Sequence, residues 1–89
     1  MKVIMLYRPD SEFARSSEQF VREFERRTGK AVEKINIDSP RGIELAQLYG
    51  VMSHPAFVAT SDDGQFQKMW SGHPLPLIDE LNAYADNKR

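Results

Sequence analysis

The side chains of this sequence that could act as nucleophiles or bases are few, and cysteine is not among them. The chain therefore performs no thiol–disulfide exchange with its own side chains, because that reaction needs a thiolate. Ser11 stands between a strand-like and a helix-like run. A serine becomes a nucleophile when a base takes its proton, and His54 and His73 are the histidines that could do so. The sequence places neither beside Ser11, and a helix-start residue is the simpler interpretation.

Composition limits the classes of function further. Eighty-nine residues suit one domain, residues 1–89, and no pair of histidines or carboxylates has metal-ligand spacing, so we predict neither metal nor cofactor. Twelve basic and 13 acidic residues give a formal net charge of −1, whereas nucleic-acid binders carry a basic excess. The apolar run at 3–7 is too short for a signal peptide or a membrane span. We expect a soluble, cytoplasmic protein with neither nucleic acid nor a membrane as its partner.

Four strands are predicted from apolar or alternating runs. These runs are residues 2–7, 31–37, 56–60 and 65–70. Residues 61–64, Ser-Asp-Asp-Gly, predict a hairpin that makes the last two strands antiparallel. The first two strands flank a helix and should therefore be parallel.

Three amphipathic helices are predicted from their end signals. Asp10 or Ser11 caps the first helix, with Glu12 in its first turn. Ser39 caps the second, with Pro40 as its first residue. The third has a predicted buried stripe and a frayed tail after it, residues 86–89. The stripe comprises Leu77, Ile78, Leu81, Tyr84 and Ala85.

The predicted order is β-α-β-α-β-β-α, an α/β fold. A four-stranded mixed sheet flanked by helices on both faces would bury every apolar stripe. Phe13 opens the apolar stripe of the first helix.

Several strings resemble the thioredoxin and glutaredoxin family. VIMLYRPDSEFA, residues 3–14, resembles the first strand and active-site turn of glutaredoxin-like proteins, where Arg-Pro and then Cys-x-x-Cys follow the strand. Further strings resemble the middle strand and helix, the cis-proline loop, the hairpin and the glycine before the last helix. They are NID (36–38), YGV (49–51), SHPAFV (53–58), DDGQ (62–65) and SG (71–72). The resemblance covers about residues 2–86 and implies a thioredoxin-like fold.

The sequence departs from this family at the active site. Ser11 and Ala14 stand at the positions of the two family cysteines. Met5 stands where thioredoxins have a buried acidic residue, and Asp10 replaces the usual aromatic residue. The resemblance therefore implies the fold without the redox reaction, and we expect no thiol–disulfide oxidoreductase activity.

The resemblance also implies a groove, formed by the turn at Ser11 and the loop at His54-Pro55, whose peptide bond is expected to be cis. Backbone groups there pair with an extended peptide or with glutathione in the family. A histidine at this spot would make binding pH-dependent near neutrality, and a histidine on the loop surface is the alternative. The candidate groove residues are Asp10, Ser11, Phe13, Ser53, His54 and Pro55.

Three functions follow from this interpretation. The first is a redox-inactive, chaperone-like module that binds a protein or peptide in the groove. The alternative is a transferase-like protein that binds glutathione or another small thiol and steadies its thiolate with Ser11. The third is an oligomer subunit whose active-site face is an interface anchored by Tyr7 and Phe13. The sequence does not choose an oligomeric state.

Overall fold

The computed structural model describes residues 1–72 and 74–85. Within these residues the chain forms a small α/β structure of four strands and three helices, in the predicted order. The elements are β1 (Lys2–Tyr7), α1 (Ala14–Thr28), β2 (Glu33–Asn36), α2 (Pro40–Tyr49), β3 (Ala56–Thr60), β4 (Phe66–Ser71) and α3 (Ile78–Ala85). The expectations for His73 as a base and for a frayed tail at 86–89 concern positions outside the described residues.

The four strands form one mixed sheet in the order β2-β1-β3-β4. β1 and β2 are parallel, while β3 is antiparallel to both β1 and β4, which confirms the predicted mixed sheet and hairpin. A register shift interrupts the hairpin pairing between Ala59 and Thr60. β1 and β3 are therefore the central strands, and all five residues of β3 are buried.

The buried side chains form two clusters that take alternate residues of β1. One cluster joins Val3, Met5 and Tyr7 of β1 to α1, β3 and α3 side chains that include Phe24, Phe57 and Leu81. The other joins Ile4 and Leu6 to Ile35 and Val58, with partly buried α2 side chains, Leu45, Ala46 and Tyr49, packed against it. Successive residues of a strand point to opposite sides of its sheet, so β1 contributes apolar area to both clusters.

Two details of the predicted helices are wrong. α1 begins at Ala14, because its N-cap residue is Phe13, so neither Asp10 nor Ser11 caps it and Glu12 is not in its first turn. Leu77 is 69% exposed, because α3 begins at Ile78 and Leu77 lies outside the buried face of that helix.

The second helix confirms its predicted ends. The Ser39 hydroxyl accepts a hydrogen bond from the Gly42 N–H at 3.0 Å, and Pro40 follows as the first helical residue. Gly50 ends the helix with a left-handed φ of 70°. Gly42, which disfavours a helix by propensity, lies against β2: a Cβ there would be 2.0 Å from the Asn36 carbonyl oxygen. α2 therefore packs on the end of β2 at a distance that only glycine permits.

None of the helices in the described part of the chain combines the length and the apolar character that crossing a membrane requires.

Candidate functional site

The predicted site residues lie at one end of the sheet, where four connecting segments meet. Tyr7 pairs with Asn36 across β1 and β2. In the antiparallel pairs, Leu6 lies opposite Ala56, and Ala56 lies opposite Ser71. The carboxyl ends of β1, β2 and β4 therefore adjoin the amino end of β3. We call the segments at this end, residues 8–13, 37–39, 53–55 and 71–72, the loop end.

Arg8 connects two of these segments, 8–13 and 37–39. Its Nε and Nη2 donate to the two carboxylate oxygens of Asp38 at 2.8 and 3.2 Å. Its backbone carbonyl accepts the Ser11 hydroxyl at 2.8 Å. The hydrogen bond and the charge of Arg8 hold the pKa of Asp38 below its usual value, and His54 acts in the same direction. Ser11 and Asp38 are thus both bonded to Arg8, and His54 lies close enough to Asp38 to act on its charge.

The loop before β3 is tied to the end of β4. The Gly72 N–H donates to the Pro55 carbonyl oxygen at 2.8 Å, and the hydroxyls of Ser53 and Ser71 lie 3.2 Å apart. The His54-Pro55 bond is cis, as the sequence resemblance implies, and Pro55 is fully buried.

His54 is half-buried and leaves several polar groups unused. Its Nδ1 atom is buried without a hydrogen-bond partner. Neither the backbone N–H nor the backbone C=O of His54 forms a hydrogen bond within residues 1–72 and 74–85. A buried polar atom without a partner costs about 1–3 kcal/mol, so the His54 side chain is held here at a cost in stability.

A pocket of about 610 Å³ opens on the α1 side of the loop end. Its lining comprises Pro9, Asp10, Ser11, Ala14, Arg15, Glu18, Gln19 and Arg22. The structure therefore brings three predicted residues together, Asp10, Ser11 and Ala14. Phe13 is 39% exposed but does not line the pocket, and neither does the segment 53–55.

Tyr7 lies beneath this pocket and does not anchor an interface. Its side chain is 7% exposed, so the expectation that Tyr7 and Phe13 anchor a self-association surface is wrong for Tyr7. The Tyr7 hydroxyl donates to Glu18 at 2.6 Å. Burial first, and then the hydrogen bond and charge of Glu18, raise the pKa of Tyr7 to about 12. Tyr7 is therefore a neutral donor that holds the Glu18 carboxylate.

Among residues 1–72 and 74–85, no base is hydrogen-bonded to Ser11. Its hydroxyl donates to the Arg8 carbonyl, and no hydrogen bond joins it to His54. Within the described segments, no cluster of histidine, aspartate and glutamate side chains is arranged to hold a metal ion.

Sequence reasoning missed Arg8, Asp38, Arg15 and Arg22 as residues of this site. The first two could have been found, because each directly follows one of two parallel strands predicted to adjoin, and carboxyl ends of parallel strands meet at one edge. The two pocket arginines share one face of α1 by their seven-residue spacing, but that spacing is also typical of an ordinary solvated face.

No protein-family model matches this sequence, and no curated protein matches it.

Proposed function

We propose that this chain is a thioredoxin-like domain that lacks the family's redox reaction and binds an extended segment of a protein or peptide at the loop end. The strand order β2-β1-β3-β4 and the three helices support the fold. The division of the core into two clusters that share β1 supports helices on both faces of the sheet. The resemblance in the sequence supplies the family.

The observation that carries the binding function is the unpaired backbone of His54, two residues before the buried strand β3. Unpaired N–H and C=O groups next to a strand can extend its hydrogen bonding to an added segment, which needs no thiol. The pocket beside Ser11 lies at the same end of the sheet and offers room for side chains of that segment. A module of this kind would serve assembly or chaperoning.

The test is a pool of degenerate nine-residue peptides added to the ¹⁵N-labelled protein. Backbone pairing predicts amide shifts confined to residues 10–14 and 53–57, and N-methylation of the peptide backbones should abolish them, because it removes the donors. Phe66→Ala provides a control, since Phe66 is an exposed β4 residue at the opposite end of that strand. If no amide in the two segments shifts, or if N-methylated peptides bind equally well, the proposal is wrong.

Binding of glutathione through Ser11 is the alternative, and a titration separates the two. Saturable binding at millimolar glutathione that Ser11→Ala weakens would favour the small thiol. The hydrogen bond from the Ser11 hydroxyl to the Arg8 carbonyl does not favour it, because that proton is already engaged.

A further inference from the structure

Two arginines in the pocket beside Ser11 are left without a partner. Arg15 and Arg22 line that pocket, and neither forms an ion pair or a hydrogen bond within the described residues. Every other arginine there is in an ion pair: Arg8 with Asp38, Arg26 and Arg27 with Glu23, and Arg41 with Glu33. The unneutralised guanidinium groups of the described chain are thus concentrated in one concave site.

The carboxylate best placed to neutralise them, Glu18, lines the same pocket but is engaged by another group. Glu18 is three residues after Arg15 and four before Arg22, both favourable spacings for an ion pair on a helix. Its carboxylate instead accepts the hydrogen bond from the Tyr7 hydroxyl, which stays protonated because its pKa is about 12. The buried tyrosine therefore engages one oxygen of Glu18, and Glu18 forms no ion pair with either arginine within the described residues.

The spacing of the two arginines sets the size of what they can bind. Seven residues of helix separate them by about 10.5 Å along one face, with Gln19 between them as a neutral hydrogen-bonding group. Carboxylates two to four residues apart in an extended chain span about 7–13 Å. Guanidinium groups bind carboxylates in a bidentate manner, which gives orientation as well as charge.

We infer that the partner segment is acidic: it carries at least two Asp or Glu side chains, which bind Arg15 and Arg22. This inference rests on the proposed peptide-binding function and names the chemistry of its partner. The remaining pocket carboxylate, Asp10, lies next to Ser11 and precedes α1, whereas the arginines extend along the helix. The acidic side chains are therefore expected beyond the point where the peptide backbone meets the loop end.

The experiment captures the same degenerate nine-residue peptides on the immobilised protein and determines the composition of the retained fraction. We expect enrichment of Asp and Glu. Each exposed ion pair changes affinity about 1.5- to 5-fold, so the double variant Arg15→Gln/Arg22→Gln should reduce the enrichment about 2- to 25-fold. Salt should reduce it as well, since the Debye length is about 10 Å at 0.1 M.

The matched control is Lys34→Gln/Lys68→Gln, which removes the same number of positive charges from β2 and β4, away from the pocket. It should leave the enrichment unchanged. An independent measurement on the unaltered protein follows the side-chain ¹⁵Nε signals of Arg15 and Arg22, which should shift with acidic peptides and not with their Gln and Asn isosteres.

The outcomes separate the two proposals. Peptides retained without acidic enrichment, or enrichment equally reduced in the lysine control, overturn the inference and leave the peptide-binding function intact. If no peptides are retained, and no amides shift at 10–14 and 53–57, the proposed function fails, and the inference fails with it. Binding of a single-stranded oligonucleotide in preference to the acidic peptides would also overturn it.

Discussion

Replacing Gly42 with alanine tests how closely α2 packs against the loop end. Helix propensity predicts that this change stabilises the protein by about 1 kcal/mol, since glycine is the poorer helix former. The structure predicts the opposite sign. A Cβ at this position would lie 2.0 Å from the carbonyl oxygen of Asn36 and 2.9 Å from the Ile37 Cα.

The size of the effect follows from what must move. The groups in the way are backbone atoms, so no side chain can rotate aside, and α2 must shift away from β2. Inserting a methyl group into a tightly packed site costs about 1–3 kcal/mol, and the gain in propensity offsets only part of that. We expect a net loss of about 1 kcal/mol, which lowers the melting temperature by about 4–8 °C in a domain of this size.

Urea unfolding of Gly42→Ala, followed by circular dichroism, measures this loss, with ¹⁵N spectra as a check of the fold. Shifted amides at residues 36–38 should accompany it, because the displaced helix starts there. Gly29→Ala is the control: its Cβ meets no atom within 4 Å, but its φ of 72° is left-handed, so it should cost about 1–2 kcal/mol without affecting those amides. A Gly42→Ala protein as stable as the original, or more stable, would refute the close packing.

Three further substitutions test other parts of the structure. Arg8→Gln should raise the pKa of Asp38 toward its ordinary value, which carboxyl NMR measures. In the unaltered protein the lowered pKa of Asp38 stabilises the fold at neutral pH, and this stabilisation is lost as the pH falls through that pKa. Tyr7 has a pKa of about 12 in the folded state against about 10 in the unfolded state, so its contribution to the free energy of unfolding is complete below pH 10 and is lost between pH 10 and 12. Tyr7→Phe should remove this alkaline decline in stability, which urea unfolding measures. Ser39→Ala should cost about 1 kcal/mol by loss of the α2 cap, whereas Ser39→Asp should retain most of the stability; equal midpoints for the two would contradict the capping role.

The elements that could be predicted from sequence are those whose signals are local. β1 and β3 have their predicted bounds, because each is a continuous buried run closed by turn-forming residues. Ser39-Pro40 and Gly50 are likewise local signals, and α2 begins and ends where they predict. The start of α1 differs because the Ser11 hydroxyl forms its hydrogen bond to the carbonyl of Arg8 rather than capping the helix, so the turn continues to Phe13.

The candidate site was predictable where it depends on topology and not where it depends on competition between side chains. The placement of Ser11 near the His54 loop follows from the pairing of β1 with β3. The availability of Arg15 and Arg22 does not, because it depends on whether Glu18 bonds to them or to the buried Tyr7 hydroxyl. Sequence spacing favours the first and the structure has the second.

The orientation of the Ser11 hydroxyl bears on the choice between the two candidate ligands. A serine that steadied a bound thiolate would have to donate its proton to it. The Ser11 proton is instead directed to the Arg8 carbonyl at 2.8 Å, and the oxygen lone pairs remain to accept a hydrogen bond. A peptide backbone offers N–H donors, and a thiolate offers none. With α1 beginning three residues later, at Ala14, Ser11 also lies outside the helical turn whose N–H groups would favour an anion. Under the proposed function, the Ser11 oxygen is an acceptor for the N–H groups of a peptide backbone, while its proton is engaged by the Arg8 carbonyl.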